Sequence, residues 1–280
     1  MIPTSAHALY LTLLLPLAGT VLLGLVRSPG VAGGLHIGVC AATLLASVRL
    51  AYGVLEHGPL LTPGGMFRID PFNVYLVVLT AFVGVTTAIF SRPYMAYVLA
   101  EGWVKQGRMR LYHAMYQGFL ATLLLALTTN NLGILWVAVE GATLATVLLV
   151  SLYRTPESVE AAWKYFVLCG VGIAQALFGT VLVYFAAANV LNAPDIGLHW
   201  NALHEVAADL DPTVMSIAFV FLLVGYGTKV GLVPLHNWLP DAHSEGPTPM
   251  SAVLSGLLLN VGLYAIVRMK MLVDPALADT

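Results

Sequence analysis

Charge is what this chain has least of. Among 280 residues there are 12 Lys and Arg and 14 Asp and Glu, so charged side chains make up 9% of the sequence, against about 25% in an ordinary soluble domain. No basic block is present and the formal net charge is −2, which argues against a nucleic-acid partner. Cysteine is nearly absent. Cys40 and Cys169 lie far apart in apolar runs, without the paired spacing that zinc or iron–sulfur ligation needs, and both read as packing residues. The first apolar run lacks a basic leader and a small-residue cleavage site, so it is expected to stay as a permanent span.

Apolar residues fill the space left by charge: they form 59% of the chain, and the mean hydropathy is +0.86. Runs long enough to cross ~30 Å of hydrocarbon recur near residues 8–26, 33–55, 72–95, 111–130, 132–152, 160–188, 214–236 and 249–273. Backbone groups in lipid must be paired internally, and these runs lack the alternation of barrel strands. The expected fold is therefore all-α, a polytopic membrane bundle of about eight transmembrane helices. Arg27, then Arg92, Lys105, Arg108 and Arg110, then Arg154 fall in alternate loops, which by the positive-inside rule puts those loops in the cytoplasm and the N-terminus outside. Asp195, Glu205, Asp209 and Asp211 mark an outer loop, where Leu203, Val206, Ala207 and Leu210 recur at the spacing of a short surface helix. Arg268 and Lys270 close the eighth span on the outer side, against the rule. Arg49, near one end of the second span, reads as an interfacial anchor.

Glycines in the sixth span (Gly170, Gly172, Gly179) and the seventh (Gly225, Gly227, Gly231) permit close helix contact. Gly231 and Pro234 also weaken the helix beside Lys229, and an interrupted helix is expected there, since irregular backbone at membrane depth is tolerated where it lines a wet cavity.

Few ionisable residues lie inside the spans. Glu140 falls near the middle of LGILWVAVEGATLATVLL, and Lys229 lies deep in the seventh span, where a central charge costs roughly 3 kcal/mol even on the lenient insertion scale. An acid and a base at similar depth are natural partners. At ~4 Å and an effective dielectric of 20 their attraction is worth up to about 4 kcal/mol, enough to change proton affinity about a thousandfold. Proton transfer is the functional reading; a neutral buried carboxyl for Glu140, or a purely structural ion pair, is the alternative. Lys164, near the start of the sixth span, is either part of the same polar path or a residue that snorkels to the surface. Beyond the break, His236, Asp241 and His243 supply groups that titrate or accept hydrogen bonds. Loop polar groups at the membrane edge are the plain reading of these, and two histidines without a paired Cys or Glu are a weak metal site.

The stretch GTKVGLVPLHNWLPDAHSEGPTPMSAVLSGLLLNVGLYAIVR resembles the signature of the antiporter-like subunits shared by respiratory complex I, Mrp-type cation/proton antiporters and membrane-bound hydrogenases. The run NNLGILWVAVEGATLATVLLVSLYRTPESVEAAWKYFVLCGVGIAQALFGTVLVYFA looks most like the F subunit of hydrogenase 4. This resemblance implies two inverted five-helix repeats, each with one broken helix. Residues 1–95 would be the first three helices and 111–273 the first repeat. It implies a glutamate on span five paired with a lysine on span seven, matching Glu140 and Lys229. Lys164, His236 and His243 fall in the matching stretches at span six and before span eight. Proton movement along a polar axis in the inner (cytoplasmic) membrane is implied, coupled to redox subunits with nickel–iron or iron–sulfur centres. The chain itself would hold no cofactor. It departs from the complex I pattern at Asn260, where a lysine or histidine is usual, and it stops just after span eight with only the first repeat, so that the gene is split, the chain is a truncated product, or another membrane subunit supplies the second. A cation/proton antiporter subunit, or a membrane scaffold that recruits a peripheral enzyme, are the alternatives.

Overall fold

The computed structural model describes residues 4–191 and 193–278 and is 84% helical. Its helices are α1 (Thr4–Leu25), α2 (Pro29–His57), α3 (Pro71–Ala100), α4 (Gln106–Thr128), α5 (Leu132–Val150), α6 (Pro156–Leu191), α7 (Trp200–Glu205), α8 (Pro212–Val230), α9 (Trp238–Glu245), α10 (Thr248–Val253) and α11 (Leu259–Leu277). Between α2 and α3 a short hairpin pairs β1 (Leu60–Leu61) with β2 (Arg68–Ile69). Eight stretches among the described residues are long and apolar enough to cross a membrane: α1 to α6, α8, and the rod Thr248–Leu277. In that rod a π-turn at Leu254–Leu258 joins α10 to α11. The all-α membrane bundle is as expected, because each run had the length a bilayer demands.

Start signals place the helices. Asp70 caps α3 by accepting from the backbone N–H of Phe72 (3.1 Å) and Asn73 (3.0 Å), and Asn73 Oδ1 accepts from Asp70 N–H in return. Proline follows at the first helical position, where a missing N–H costs nothing. Asn131 caps α5 by accepting from the Gly133 and Ile134 N–H groups.

Loops gather at two ends. At one, Asn130 ties the hairpin to α7: its N–H donates to the Met66 carbonyl, its carbonyl accepts from Trp200 N–H and its amide donates to the Gly65 carbonyl. At the other, Gln106 reaches the Arg27 carbonyl and Arg108 the Leu152 carbonyl. The loops carrying Arg27, Lys105 and Arg154 thus share one end with Arg108 in the first turn of α4, whereas Arg92 and Arg110, read as loop charges, lie within α3 and α4 because those helices run past the apolar stretches. The anomaly of Arg268 is resolved by burial. Its side chain is 5% exposed and its Nη2 lies 2.6 Å from Asp70 Oδ2, so it is a paired internal charge and not a loop charge. Lys270 pairs with Asp274 on the surface.

The outer-loop helix is shorter than the spacing suggested. It stops at Glu205, a 3-10 turn covers Ala207–Asp209, and Leu203, Ala207 and Leu210 are buried, packing towards α11. The seventh span also ends earlier, at Val230 instead of near 236. Gly231 adopts φ 77°, ψ 36°, and Leu232 N–H returns to the Gly227 carbonyl while Gly231 N–H bonds the Thr228 carbonyl. This is a Schellman stop, which glycine reaches without strain. The apolar residues after it, Leu232 and Val233, belong to an exposed turn.

The α6–α8 contact depends on missing side chains. A Cβ on Gly225 would stand 2.5 Å from Ala176 N, and one on Gly179 2.8 Å from the Ala218 carbonyl oxygen. Gly172 opposes Thr228, whereas Gly170 faces open space. Since backbone cannot yield as a side-chain tip does, Gly225→Val is expected to cost about 3 kcal/mol by overpacking. A thermal melt in detergent measures it, with Gly170→Val as the neutral comparison.

Candidate functional site

Three helices carry the ionisable centre. On α5, Glu140 stands eight residues past Leu132, about 12 Å along the axis, with Thr143 and Thr146 following on the same face at three-residue steps. On α6, Tyr165 is fully buried. On α8, Lys229 is the penultimate residue. Its side chain is 0% exposed, its Nζ lies 3.6 Å from Glu140 Oε2, and it donates a hydrogen bond to Thr143 Oγ1. The face of Tyr165 lies 5.9 Å from Nζ, within reach of a cation–π attraction, and the Tyr165 hydroxyl is fixed by Thr146 at 2.7 Å.

Helix termination explains how a lysine comes to rest there. Because α8 stops just after it, Lys229 occupies the last turn, where unsatisfied carbonyls make the helix end negative and favour a cation. Two of those carbonyls are claimed: Leu232 N–H takes that of Gly227, while Gly231 N–H and Trp238 Nε1 of α9, at 2.8 Å, share that of Thr228. Trp238 also packs on Tyr165, ring centroids 4.7 Å apart, so α9 closes the pocket around the ammonium. Glu140 is less enclosed, with its side chain 20% exposed; one of its oxygens, Oε2, is buried and faces the lysine without a hydrogen bond.

The other sequence candidates lie elsewhere. Lys164 is on the surface, half-exposed, paired with Glu160 at 2.8 Å and with Asp241 at 3.0 Å. It clips α6 to α9, and no direct contact joins it to Lys229. His236 sits in the turn between α8 and α9, partly buried, and its Nδ1 is enclosed without a hydrogen-bond partner. His243 is on α9, where burial holds its imidazole below the usual histidine value. Among the described residues, no three His, Cys, Asp or Glu side chains converge on a metal position. Asn260 is exposed on the rod, its amide donating to the Gly256 carbonyl at 2.6 Å.

Sequence reading missed Thr143, Tyr165 and Trp238. Threonine in an apolar run ordinarily bonds its own helix, as Thr143 also does to the Val139 carbonyl. The available signal was spacing, since Thr143 follows Glu140 by three residues. A second polar centre, Asp70 with Arg68 and Arg268, was missed as well. Asp70 Oδ2 lies 2.7 Å from Arg68 Nη1 and 2.6 Å from Arg268 Nη2, and both guanidinium groups lie over the Trp200 ring.

Residues 129–279, which hold the whole Glu140–Lys229 centre, match the family described as NADH:quinone oxidoreductase/Mrp antiporter, TM. A "Hydrogenase-4 component F homolog" of Methylacidiphilum infernorum is 48% identical over 262 residues, 94% of this chain and 54% of that relative. An "NADH-quinone oxidoreductase subunit N" of Desulforudis audaxviator is 32% identical over 212 residues, 74% of this chain and 39% of the relative. The chain therefore spans about half the length of the first relative and less of the second. Among solved structures, a chain of an archaeal membrane-bound sulfane sulfur reductase superposes with TM-score 0.79 at 21% identity, covering 92% of this chain and 52% of that one. A chain of respiratory complex I from Thermus thermophilus gives 0.70 at 23%, covering 93% and 52%. At those identities the superpositions speak for the fold alone. The matched segment is more than half of the sequence, and the chain belongs to the NADH:quinone oxidoreductase/Mrp antiporter transmembrane family.

Proposed function

We propose that this protein is a proton-translocating membrane subunit of a hydrogenase-4-like or complex-I-like assembly, and that Glu140 and Lys229 form its proton-transfer centre. The observation that carries the reading is a fully buried ammonium 3.6 Å from a carboxylate, held at a helix end between membrane spans. A buried charge in a bilayer is expensive, and packing alone gives no reason to place one there. Coulomb attraction at this distance is worth up to about 4 kcal/mol at an effective dielectric of 20. A change in the position or protonation of Glu140 therefore alters how firmly Lys229 keeps its proton. Thr143 and Tyr165 hold the ammonium in reach, and His236 and His243 offer further groups through which a proton could pass towards the α9 end. Spans four to eight act as the five-helix unit, and other membrane subunits, with redox centres in their own chains, complete the complex in the inner membrane.

Proton uptake by membrane vesicles containing the assembled complex tests this. Glu140→Gln, which keeps shape and removes the titratable carboxyl, is expected to lower the rate at least tenfold with assembly unchanged. An unchanged rate would favour a scaffold. The family's Mrp branch motivates the second reading, a cation/proton antiporter subunit. Uptake driven by a sodium gradient without a redox donor would select it.

A further inference from the structure

We infer that a groove between α1 and α2 is a binding site for an anionic phospholipid, with Arg49 as the phosphate ligand. The groove encloses about 580 Å³ and runs from Leu15 and Ala42 to His7 and Arg49. Its floor is made by small residues, Ala8, Ala42 and Ala46, and its walls by Leu11 and Leu45, both largely exposed. Both helices are long and apolar enough to cross a membrane, and the groove opens on the outer surface of the bundle. The polarity is one-ended. Apolar side chains line about 12 Å of helix, eight residues at 1.5 Å each, and both basic groups stand at the same end.

That end lies at the membrane boundary. The helix α2 has 29 residues, roughly 43 Å, and exceeds a ~30 Å hydrocarbon core by about 13 Å. The eight residues that follow Arg49 in α2 account for about 12 Å and finish in Glu56 and His57. His7 lies in the first described turn of α1, at the level of Arg49. Exposed Tyr10 and Tyr52 flank the same level, as interfacial aromatics do. Arg49 is exposed and forms no ion pair among the described residues. Glu56, seven residues on, is about 10 Å away along the axis. An uncompensated guanidinium at headgroup depth, above an acyl-sized furrow, matches a phosphodiester, to which arginine donates two parallel hydrogen bonds. A headgroup with its own ammonium would oppose Arg49, so the site takes a lipid with net negative charge, such as phosphatidylglycerol. This inference is independent of the proton-transfer reading.

Native mass spectrometry of the purified protein, equilibrated with equal phosphatidylglycerol and phosphatidylethanolamine, tests it. Wild type is expected to retain the glycerol lipid about tenfold over the ethanolamine lipid. Arg49→Gln should abolish that preference, Arg27→Gln at the other membrane face should leave it intact, and Ala42→Phe should expel the lipid by filling the furrow. Equal retention of both lipids by wild type, or a preference that survives Arg49→Gln or Ala42→Phe, would overturn the assignment.

Discussion

Lys229→Met is expected to reduce proton uptake to background while the complex still assembles. Methionine matches the length of the lysine stem and removes a buried charge, so the pocket made by Tyr165 and Trp238 stays filled. Glu140 is one-fifth exposed, so the fold is not left with a fully enclosed unpaired ion. The sharper variant is Lys229→Arg. Arginine preserves the positive charge, the helix-end placement and the attraction to Glu140, but a guanidinium does not release its proton in a protein. A purely structural ion pair predicts near-normal transport in Lys229→Arg. A proton carrier predicts loss comparable to that of Lys229→Met, at least tenfold in vesicle uptake rate.

The largest expected effect on stability lies at the other centre. Asp70→Ala leaves Arg268, with a 5% exposed side chain, without its carboxylate. Breaking one half of a buried pair costs about 3–5 kcal/mol. It also removes the α3 cap, worth about 1 kcal/mol, giving a loss of about 5 kcal/mol in unfolding measurements. Asp70→Asn keeps a capping oxygen and should recover the cap alone. A pH dependence accompanies this. Burial pushes the Asp70 carboxyl up, but Arg268, the α3 backbone and Arg68 together outweigh it and hold the group below the ordinary carboxylate value. Its stabilisation is therefore complete above the unfolded-state value near 4, and it fades as pH falls through the lower folded value. Wild type should lose stability across that acid window more steeply than Asp70→Asn.

Legibility followed physical range. The spans were readable because lipid imposes their length residue by residue, and Glu140 and Lys229 because a charge inside an apolar run has no cheap local explanation. The partnership was harder, as 89 residues separate them in sequence; matched depth was the clue. Asp70 and Arg268 offered no such clue. They lie 198 residues apart, each near a span end where a charge is ordinary, and only the fold shows them paired. The early stop of α8 was half visible. Gly231 and Pro234 announced a break, but the apolar Leu232, Val233 and Leu235 extended the run past it, since hydropathy reports where a residue is at ease and not which φ it adopts. Tyr165 and Trp238 left no trace, because an aromatic in an apolar run is indistinguishable from packing until its neighbours are known.

The π-turn at Leu254–Leu258 acts as a phase setter. A single extra residue in a helical turn advances everything beyond it by about 100°. Without it, the segment from Leu259 to Leu277 would present a different stripe to the bundle, and Arg268, ten residues downstream, would swing away from Asp70 and the Trp200 ring. Tyr264, whose hydroxyl accepts from Arg268 Nε, would turn with it. One unmatched residue in the first half of the rod thus decides which side chains meet towards its far end, as the position of a single tooth sets the timing of a gear.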